Sequence, residues 1–439
     1  MADAVARSAL AFYRGLGRLA APTLPFLMRG RLLAGKEDRS RLGERFGRAG
    51  LARPAGPLVW VHAASVGEAL SVMALIERIG AGGPRVLLTT GTVTSARIAA
   101  ARAPAGTLHQ FAPLDVAPAI TRFLDHWRPD LAIFVESEVW PVTVGEIARR
   151  AIPHIVVNAR LSVRSAQRWS HLAGVAGTLF GRFALVLAQS EADADRLRGL
   201  GAGPVVVTGN LKYDAMAPHA EAQAVAELRQ AIGDRPVWLA ANTHPGEEEL
   251  VADAHAVLAH RFPGLLTLLV PRHPERGGAI RAALAERGLT VAQRSLGEAV
   301  GPETAILLAD TLGEMGLFYR VSPIAFVGAS LVARGGHSPI EAAALNTAVL
   351  HGPHVDNQED FYRAFDRIGA SALVPDGAHL AEAVGALMAD PAAAAAMAQA
   401  GARILDQNRG SLDRAFAAIE PFLAPLAARA AEGRARGPE

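Results

Sequence analysis

Twelve short apolar runs, rich in β-branched residues, recur along this chain, and each leads through a turn signal into residues with helical periodicity. In the first half they are Leu58–Ala63, Arg85–Thr89, Leu131–Val135, His154–Asn158, Leu185–Ala188 and Val205–Thr208. In the second they are Val237–Ala241, Leu265–Val270, Ala305–Ala309, Ile324–Val327, Ala348–Leu350 and Ala372–Val374. The runs are mostly uninterrupted rather than alternating, as expected of strands buried on both faces of a parallel sheet. Alternation with helices gives right-handed βαβ units, so the chain reads as α/β with two Rossmann-like halves of six strands each. The break between them falls in Lys212–Ala222, around Pro218. This predicts a basic amphipathic segment over 1–48, an N-terminal domain over 49–214 and a C-terminal domain over 223–424, with residues from Pro425 onward as a frayed tail. A length of 439 residues suits two such domains.

Three of the turn signals place Ser or Thr three residues ahead of Glu where a helix should begin. They are Ser65-Val66-Gly67-Glu68, Thr311-Leu312-Gly313-Glu314 and Ser338-Pro339-Ile340-Glu341. The spacing is that of a capping box, and the third adds a proline at the first helical position. A helix N-terminus at the carboxyl end of a parallel strand is where α/β proteins hold anions, because free N–H groups and the helix dipole point there. Three such ends with one glutamate each point to a nucleotide or phosphosugar enzyme.

Charge narrows the setting. The net charge is only +2, which gives no reason to expect a nucleic-acid partner. The first fifty residues nevertheless carry Arg7, Arg14, Arg18, Arg29, Arg31, Lys36, Arg39, Arg41, Arg45 and Arg48 against four acids. Leu10, Phe12, Leu16, Leu19, Leu24, Phe26, Leu27 and Met28 are interspersed, while Arg14, Arg18, Pro22 and Pro25 break any spanning run. The segment reads as an interfacial element drawn to anionic lipid on a cytoplasmic membrane face; the alternative is a helix docked on its own domain. With no cysteine in the chain, disulfides, thiolate metal sites and cysteine nucleophiles are excluded.

Each candidate group has a plain reading beside the chemical one. Glu68 is either a helix cap or, with Gly67 allowing close approach, a general base on an acceptor hydroxyl. Glu136 and Glu138 end the third run, where buried carboxylates need a task or a cationic partner. Arg160, in Asn158-Ala159-Arg160-Leu161-Ser162, and Lys212, in Gly209-Asn210-Leu211-Lys212-Tyr213-Asp214, supply cations at later strand ends; Lys212 could hold phosphate or a sugar carboxylate. In the second half, two prolines fix Arg272 in Pro271-Arg272-His273-Pro274, which suits phosphate. Thr243-His244-Pro245-Gly246 is a further phosphate-facing end, Gly313 and Gly316 allow a ring or phosphate to approach, and Glu341 suits ribose hydroxyls. His273 alone reads as a structural hydrogen-bonder. Asp193-Ala194-Asp195 has an Asp-x-Asp form, but it lies in a helical pattern with solvated acids. No metal is therefore expected, and Arg272, Lys212 and helix N-termini would neutralise a leaving phosphate.

The ordered set WVHAASVGE, FVESEVWP, VNARLS, GNLKYD, NTHPGEEE, VPRHPER, DTLGEMG, GGHSPIEAAA and LHGPH resembles the 3-deoxy-D-manno-octulosonic acid (Kdo) transferases of lipopolysaccharide assembly, from about Arg31 to about Asn408. The resemblance implies the glycosyltransferase B fold, two Rossmann-like domains whose parallel sheets face a cleft. It also implies a metal-independent, inverting transfer of Kdo from CMP-Kdo to an anionic lipid A precursor, with no cofactor, at the cytoplasmic face of the inner membrane. By matching position, Glu68 would be the proton acceptor, and Glu136 and Lys212 would stabilise the transition state. Pro271, Arg272, Leu312, Gly313, Glu314, Ser338 and Glu341 would bind CMP. The chain departs from the family pattern at Ser338, where Asn is usual, and at Gly328-Ala329-Ser330 and Thr94-Ser95-Ala96. Because sugar-nucleotide epimerases and other nucleotide-sugar transferases share this architecture, fold alone does not fix the activity.

Overall fold

The computed structural model of the chain describes residues 2–214 and 217–435. The chain forms two compact units, Met1–Ala215 with Gly410–Glu439, and Met216–Arg409. Each is built on one seven-stranded sheet in which every pairing is parallel.

In the first unit the strands are β1 Leu58–Ala63, β2 Arg85–Thr90, β3 Leu108–Phe111, β4 Leu131–Val135, β5 His154–Ala159, β6 Leu185–Ala188 and β7 Val205–Val207, in the order β3-β2-β1-β4-β5-β6-β7. In the second they are β8 Val237–Thr243, β9 Leu266–Pro271, β10 Val291–Gln293, β11 Ile306–Leu308, β12 Ile324–Val327, β13 Ala348–His351 and β14 Ser371–Leu373, in the order β10-β11-β9-β8-β12-β13-β14. Six strands per half were expected from the sequence. The two that escaped, β3 and β10, are both edge strands. Leu108-His109-Gln110-Phe111 and Val291-Ala292-Gln293 are short and contain polar residues, so neither reads as a continuous apolar run.

Interior strands are buried on both faces. Val59 and Val61 of β1 pack into one apolar cluster while Leu58 and Trp60 pack into another with Phe123 and Trp127. In the second unit Ala240, Leu269 and Phe326 face one cluster, and Leu239, Leu268 and Ala325 the other. Side chains alternate across a strand, so two cores flank each sheet and polar groups are displaced to the strand ends.

The C-terminal end departs from expectation. The C-terminal domain was expected to run to 424, with a frayed tail beyond Pro425. Instead Ser411–Ala435 is one helix belonging to the first unit. Ala415, Ile419, Leu423 and Leu426 recur at helical spacing and join the cluster around Val72, Leu75 and Ile76, while Pro421 and Pro425 lie on the exposed side. At the other end, the helix Ala2–Ala20 packs against Ala117–Trp127, Pro141–Arg149 and Ala173–Phe180. Arg14 reaches the buried Glu146 at 3.0 Å. The helix is thus docked on its own unit, yet Phe12, Leu16 and Leu19 stay exposed along one stripe, as do Phe26, Leu27 and Leu33 on the helix Leu24–Leu33. Among the described residues no single helix is long and apolar enough to cross a membrane.

Ile419 is fully buried against the first sheet. Ile419→Ala should therefore destabilise the first unit, at a cost of about 2–5 kcal/mol. Denaturant unfolding would measure it, with faster limited proteolysis inside the first unit as the accompanying sign. If only the second unit loosened, the helix would be misassigned.

Candidate functional site

Loops leaving a parallel sheet diverge where the strand order reverses, and open α/β sheets bind ligands there. In the first unit that point lies between β1 and β4. Glu68 follows β1, as third residue of the short helix Val66–Ser71. Ser65 Oγ accepts the Glu68 N–H at 3.2 Å and donates to its carboxylate at 2.7 Å, and the Ala64 N–H donates to the other oxygen at 2.8 Å. The expected capping box is present in modified form, reaching Ala64 rather than the backbone of Ser65. Burial raises the Glu68 carboxyl above its ordinary value. The Ser65 and Ala64 hydrogen bonds oppose that shift, and the charges of Glu136 and Glu138 add to it.

Glu136 follows β4 in the left-handed region, at φ 60°, a conformation that is strained for a residue of this type and that gathers at functional sites. Its carboxylate accepts from Lys212 Nζ at 2.8 Å, and that ammonium lies 4.0 Å from where a Cβ on Gly67 would stand. Glu68, Glu136 and Lys212, which are far apart in sequence, therefore converge. Glu138 faces His62 at 3.8 Å and accepts from the Trp140 indole. Its own burial pushes it up, but His62 and Trp140 outweigh this and hold it below the ordinary carboxylate value.

The residues that place Lys212 were not singled out as such by the sequence. Asn158, buried in the left-handed region at the register shift that ends β5, accepts the Leu211 N–H at 2.9 Å. Asn210 accepts the Lys212 N–H at 3.0 Å and donates to Gln189, which donates to the Asn158 carbonyl. Asp214 accepts the N–H groups of Gly410 and Leu412 at the start of the C-terminal helix, at 2.8 and 2.6 Å. Arg160 follows β5, and its carbonyl accepts from the Ser137 hydroxyl in the loop after β4. Asp193 is a structural residue: it accepts from the Leu161 N–H and pairs with Arg196, while Asp195 pairs with Arg198 on the surface. Among the described residues no group of three or more metal-binding side chains occurs.

In the second unit the order reverses between β8 and β12. The expected nucleotide-binding residues sit at the carboxyl ends of the neighbouring strands β11, β9 and β12, and His244 follows β8 among them. At a strand spacing of about 4.8 Å this row spans roughly 15 Å. Pro271 is the last residue of β9, with Arg272 exposed beyond it. Leu312 is exposed and Gly313 has φ 86°.

Two of the three expected caps are not capping boxes. After Thr311 the helix begins only at Met315, because Glu314 turns aside to Arg294 and also accepts from the Thr311 hydroxyl. The Arg294 hydrogen bond holds the Glu314 carboxyl below its ordinary value. Beyond Ser338 the helix is Ile340–Ala344 with Pro339 at its cap position, and Ser338 Oγ accepts the Ile340 N–H at 3.4 Å. Glu341 lies exposed in its first turn. A further residue missed in the sequence is Glu247. Fully buried, its carboxylate accepts the N–H groups of His244, Ala329, Ser330 and Leu331 at 2.8–3.0 Å, which ties the β8 turn to the β12 loop.

Comparison with known proteins adds an independent line. The family model described as 3-Deoxy-D-manno-octulosonic-acid transferase (kdotransferase) matches residues 40–215. The 3-deoxy-D-manno-octulosonic acid transferase of Haemophilus influenzae is 35% identical over 392 residues, covering 88% of this chain and 92% of that protein. The transferase of the same name from Bordetella pertussis is 37% identical over 391 residues, 86% of this chain and 91% of that one. Among solved structures, a glycosyltransferase from Rickettsia africae superposes with a TM-score of 0.55 at 13% identity, over 84% of this chain and 99% of its own. That likeness shows the fold, glycosyltransferase B.

Because the Glu68 carboxyl is raised, its ionised form disfavours the folded state. The penalty is absent below the ordinary carboxylate range and sets in as pH rises through the folded value. Glu68→Gln should therefore raise the lowest melting transition near pH 7.5 by about 1–3 °C, with the gap closing toward pH 4. Thermal unfolding across pH measures this. A variant less stable than the native chain at every pH would make Glu68 a helix cap only.

Proposed function

The chain belongs to the 3-deoxy-D-manno-octulosonic acid transferase family, and from that premise we propose that it moves Kdo from CMP-Kdo to a lipid A precursor of lipid IVA type, with inversion and without a metal. The observation that carries the reading is the buried carboxylate of Glu68 beside the Lys212–Glu136 pair at the switch point of the first sheet. A carboxyl raised above its ordinary value is a stronger base once ionised, and it is suited to take a proton from an acceptor hydroxyl. In the proposed step the acceptor oxygen attacks the anomeric carbon of Kdo from the face opposite the phosphate. Its proton passes to Glu68, and the bond to phosphate breaks with CMP taking the electron pair. Lys212, held by Glu136, stabilises negative charge developing in that step. Arg272 and the strand ends of the second unit hold CMP, with Leu312, Gly313, Glu314, Ser338 and Glu341 lining the nucleotide.

The acceptor is an amphiphile, and the surface near the N-terminus fits one. Phe12, Leu16, Leu19, Phe26, Leu27 and Leu33 are exposed apolar side chains among arginines, the composition of an interfacial element on anionic lipid at the cytoplasmic face of the inner membrane. Docking of the helix Ala2–Ala20 on its own unit leaves that stripe free to do this.

Mass spectrometry of lipid A precursor incubated with the protein and CMP-Kdo should show mass added in Kdo units. Turnover only with another nucleotide sugar, or donor breakdown without a lipid product, would overturn the reading. Glu68→Gln should lower transfer by roughly 100-fold or more while calorimetry finds CMP binding nearly unchanged. In the native chain the rate should rise as pH passes upward through the raised Glu68 value, and near-normal turnover by the variant would remove Glu68 from the mechanism.

Replacing Phe12, Leu16 and Leu19 together by Ser should weaken binding to anionic vesicles without lowering the melting temperature. Native binding should fall with rising salt. Vesicle binding unchanged by the triple substitution would place the membrane contact elsewhere.

A further inference from the structure

Three histidines of the second unit, His244, His273 and His337, meet in space. His244 follows β8, where the register shifts between Ala241 and Thr243 and Asn242 is left-handed at φ 57°. His337 comes in on the β12 loop through Gly335 and Gly336, both at positive φ. The two imidazoles stack with centroids 5.5 Å apart and planes 20° apart, and their Nε2 atoms are 3.3 Å apart. The ring of His273 stands edge-on to His244 at 5.4 Å. All of this sits where the strand order of the second sheet reverses, between β8 and β12.

The surroundings carry surplus positive charge. Arg272, Arg276 and Arg334 act on His244, and Arg272 and His273 act on His337. The nearby acids are already engaged. Glu247 receives four N–H groups, and Glu248 is paired with Arg276 at 2.7 Å. The Tyr362 hydroxyl donates to the His337 carbonyl rather than to its ring. Among the described residues Arg272 and Arg334 form no ion pair. Two facing ring nitrogens at a switch point, with Arg272 and Arg334 adding positive charge around them, suit a compact anion. One anionic oxygen about 2.8 Å from each ring nitrogen would accept from both rings if both carried a proton there.

Resting on the CMP reading above, we propose that His244 and His337, with Arg272 and Arg334, seat the phosphate of the nucleotide, and that the histidine pair takes up a proton when the phosphate binds. Without an anion, burial first and then the neighbouring arginines depress His244 to about 4 and His337 to about 3, so both rings are neutral near pH 7. A bound dianion reverses the sign of the local field and raises them. Binding is then coupled to proton uptake, and positive charge arrives where the phosphate gains negative charge as the sugar departs.

Calorimetry of CMP binding to the full chain at pH 7.5, in buffers of different ionisation enthalpy, tests this. A free phosphate monoester is almost wholly dianionic there, its second pKa being about 6. The expected result is uptake approaching about one proton per CMP, none with cytidine, and loss of uptake in H337Q and H244Q with CMP about tenfold weaker. Thermal unfolding identifies a variant that fails to fold, and the other then carries the test. CMP binding without proton uptake, or full uptake retained in a folded variant, overturns the inference and leaves the nucleotide reading standing. Uptake with free Kdo but not with CMP overturns the phosphate assignment in favour of a carboxylate. Absence of CMP binding overturns the nucleotide reading itself.

Discussion

A parallel strand covered on both faces has no side on which to carry a polar group. Here β1, β4, β8, β9, β11 and β12 are almost entirely apolar and buried along their length, so chemistry is confined to the residues just past their carboxyl ends. Non-glycine residues adopt left-handed backbone there: Glu136 after β4, Asn158 within the end of β5, Asn242 within the end of β8 and Ala329 after β12. Asn158 and Asn242 coincide with register shifts in their strands, and Glu136 and Ala329 lie just past theirs. The strain is stored where the loops must present functional groups, a pattern met at active sites.

The two units present opposite electrostatics at their switch points. The first gathers three carboxylates, Glu68, Glu136 and Glu138, with Lys212 and His62 as partners. The second gathers Arg272, Arg334 and three histidines, with its acids engaged by backbone N–H groups or Arg276. A carboxylate-rich site suits accepting a proton, and a cation-rich site suits holding a phosphate leaving group. Group transfer from a nucleotide sugar needs both functions. In the first unit the balance is fine-tuned. Lys212 neutralises Glu136, His62 and Trp140 lower Glu138, and Glu68 is left as the carboxyl that burial raises.

The chain ends serve the first unit in different ways. The C-terminal helix returns from the second unit to complete the core around Ile76, and its N-terminal amides fix Asp214, two residues from Lys212. Arg414 donates to the Thr208 carbonyl on the same connection. A functional loop near one end of a domain is thus secured by residues some two hundred positions away. The N-terminal helices close another part of the same unit and leave an apolar stripe uncovered.

Sequence alone determined the α/β class, the parallel sheets and the interior strands to within a few residues, because two-sided burial writes itself as continuous apolar runs. The same reading placed Glu68, Glu136, Lys212 and Arg272 at strand ends. It missed β3 and β10, which are short and contain polar residues, and it assigned residues up to 424 to the second half with a frayed tail from Pro425, because packing partners distant in the chain leave no local mark. Capping spacing at Thr311 and Ser338 was real in the sequence, yet Arg294 draws Glu314 away and Pro339 occupies the cap. Only the tertiary structure decided which of these groups meet: Lys212 with Glu136, His244 with His337, Glu247 with the β12 loop. Periodicity records what each residue faces within its own element; the pairing of charges depends on strand order and on left-handed turns at the rim, which no short-range pattern encodes.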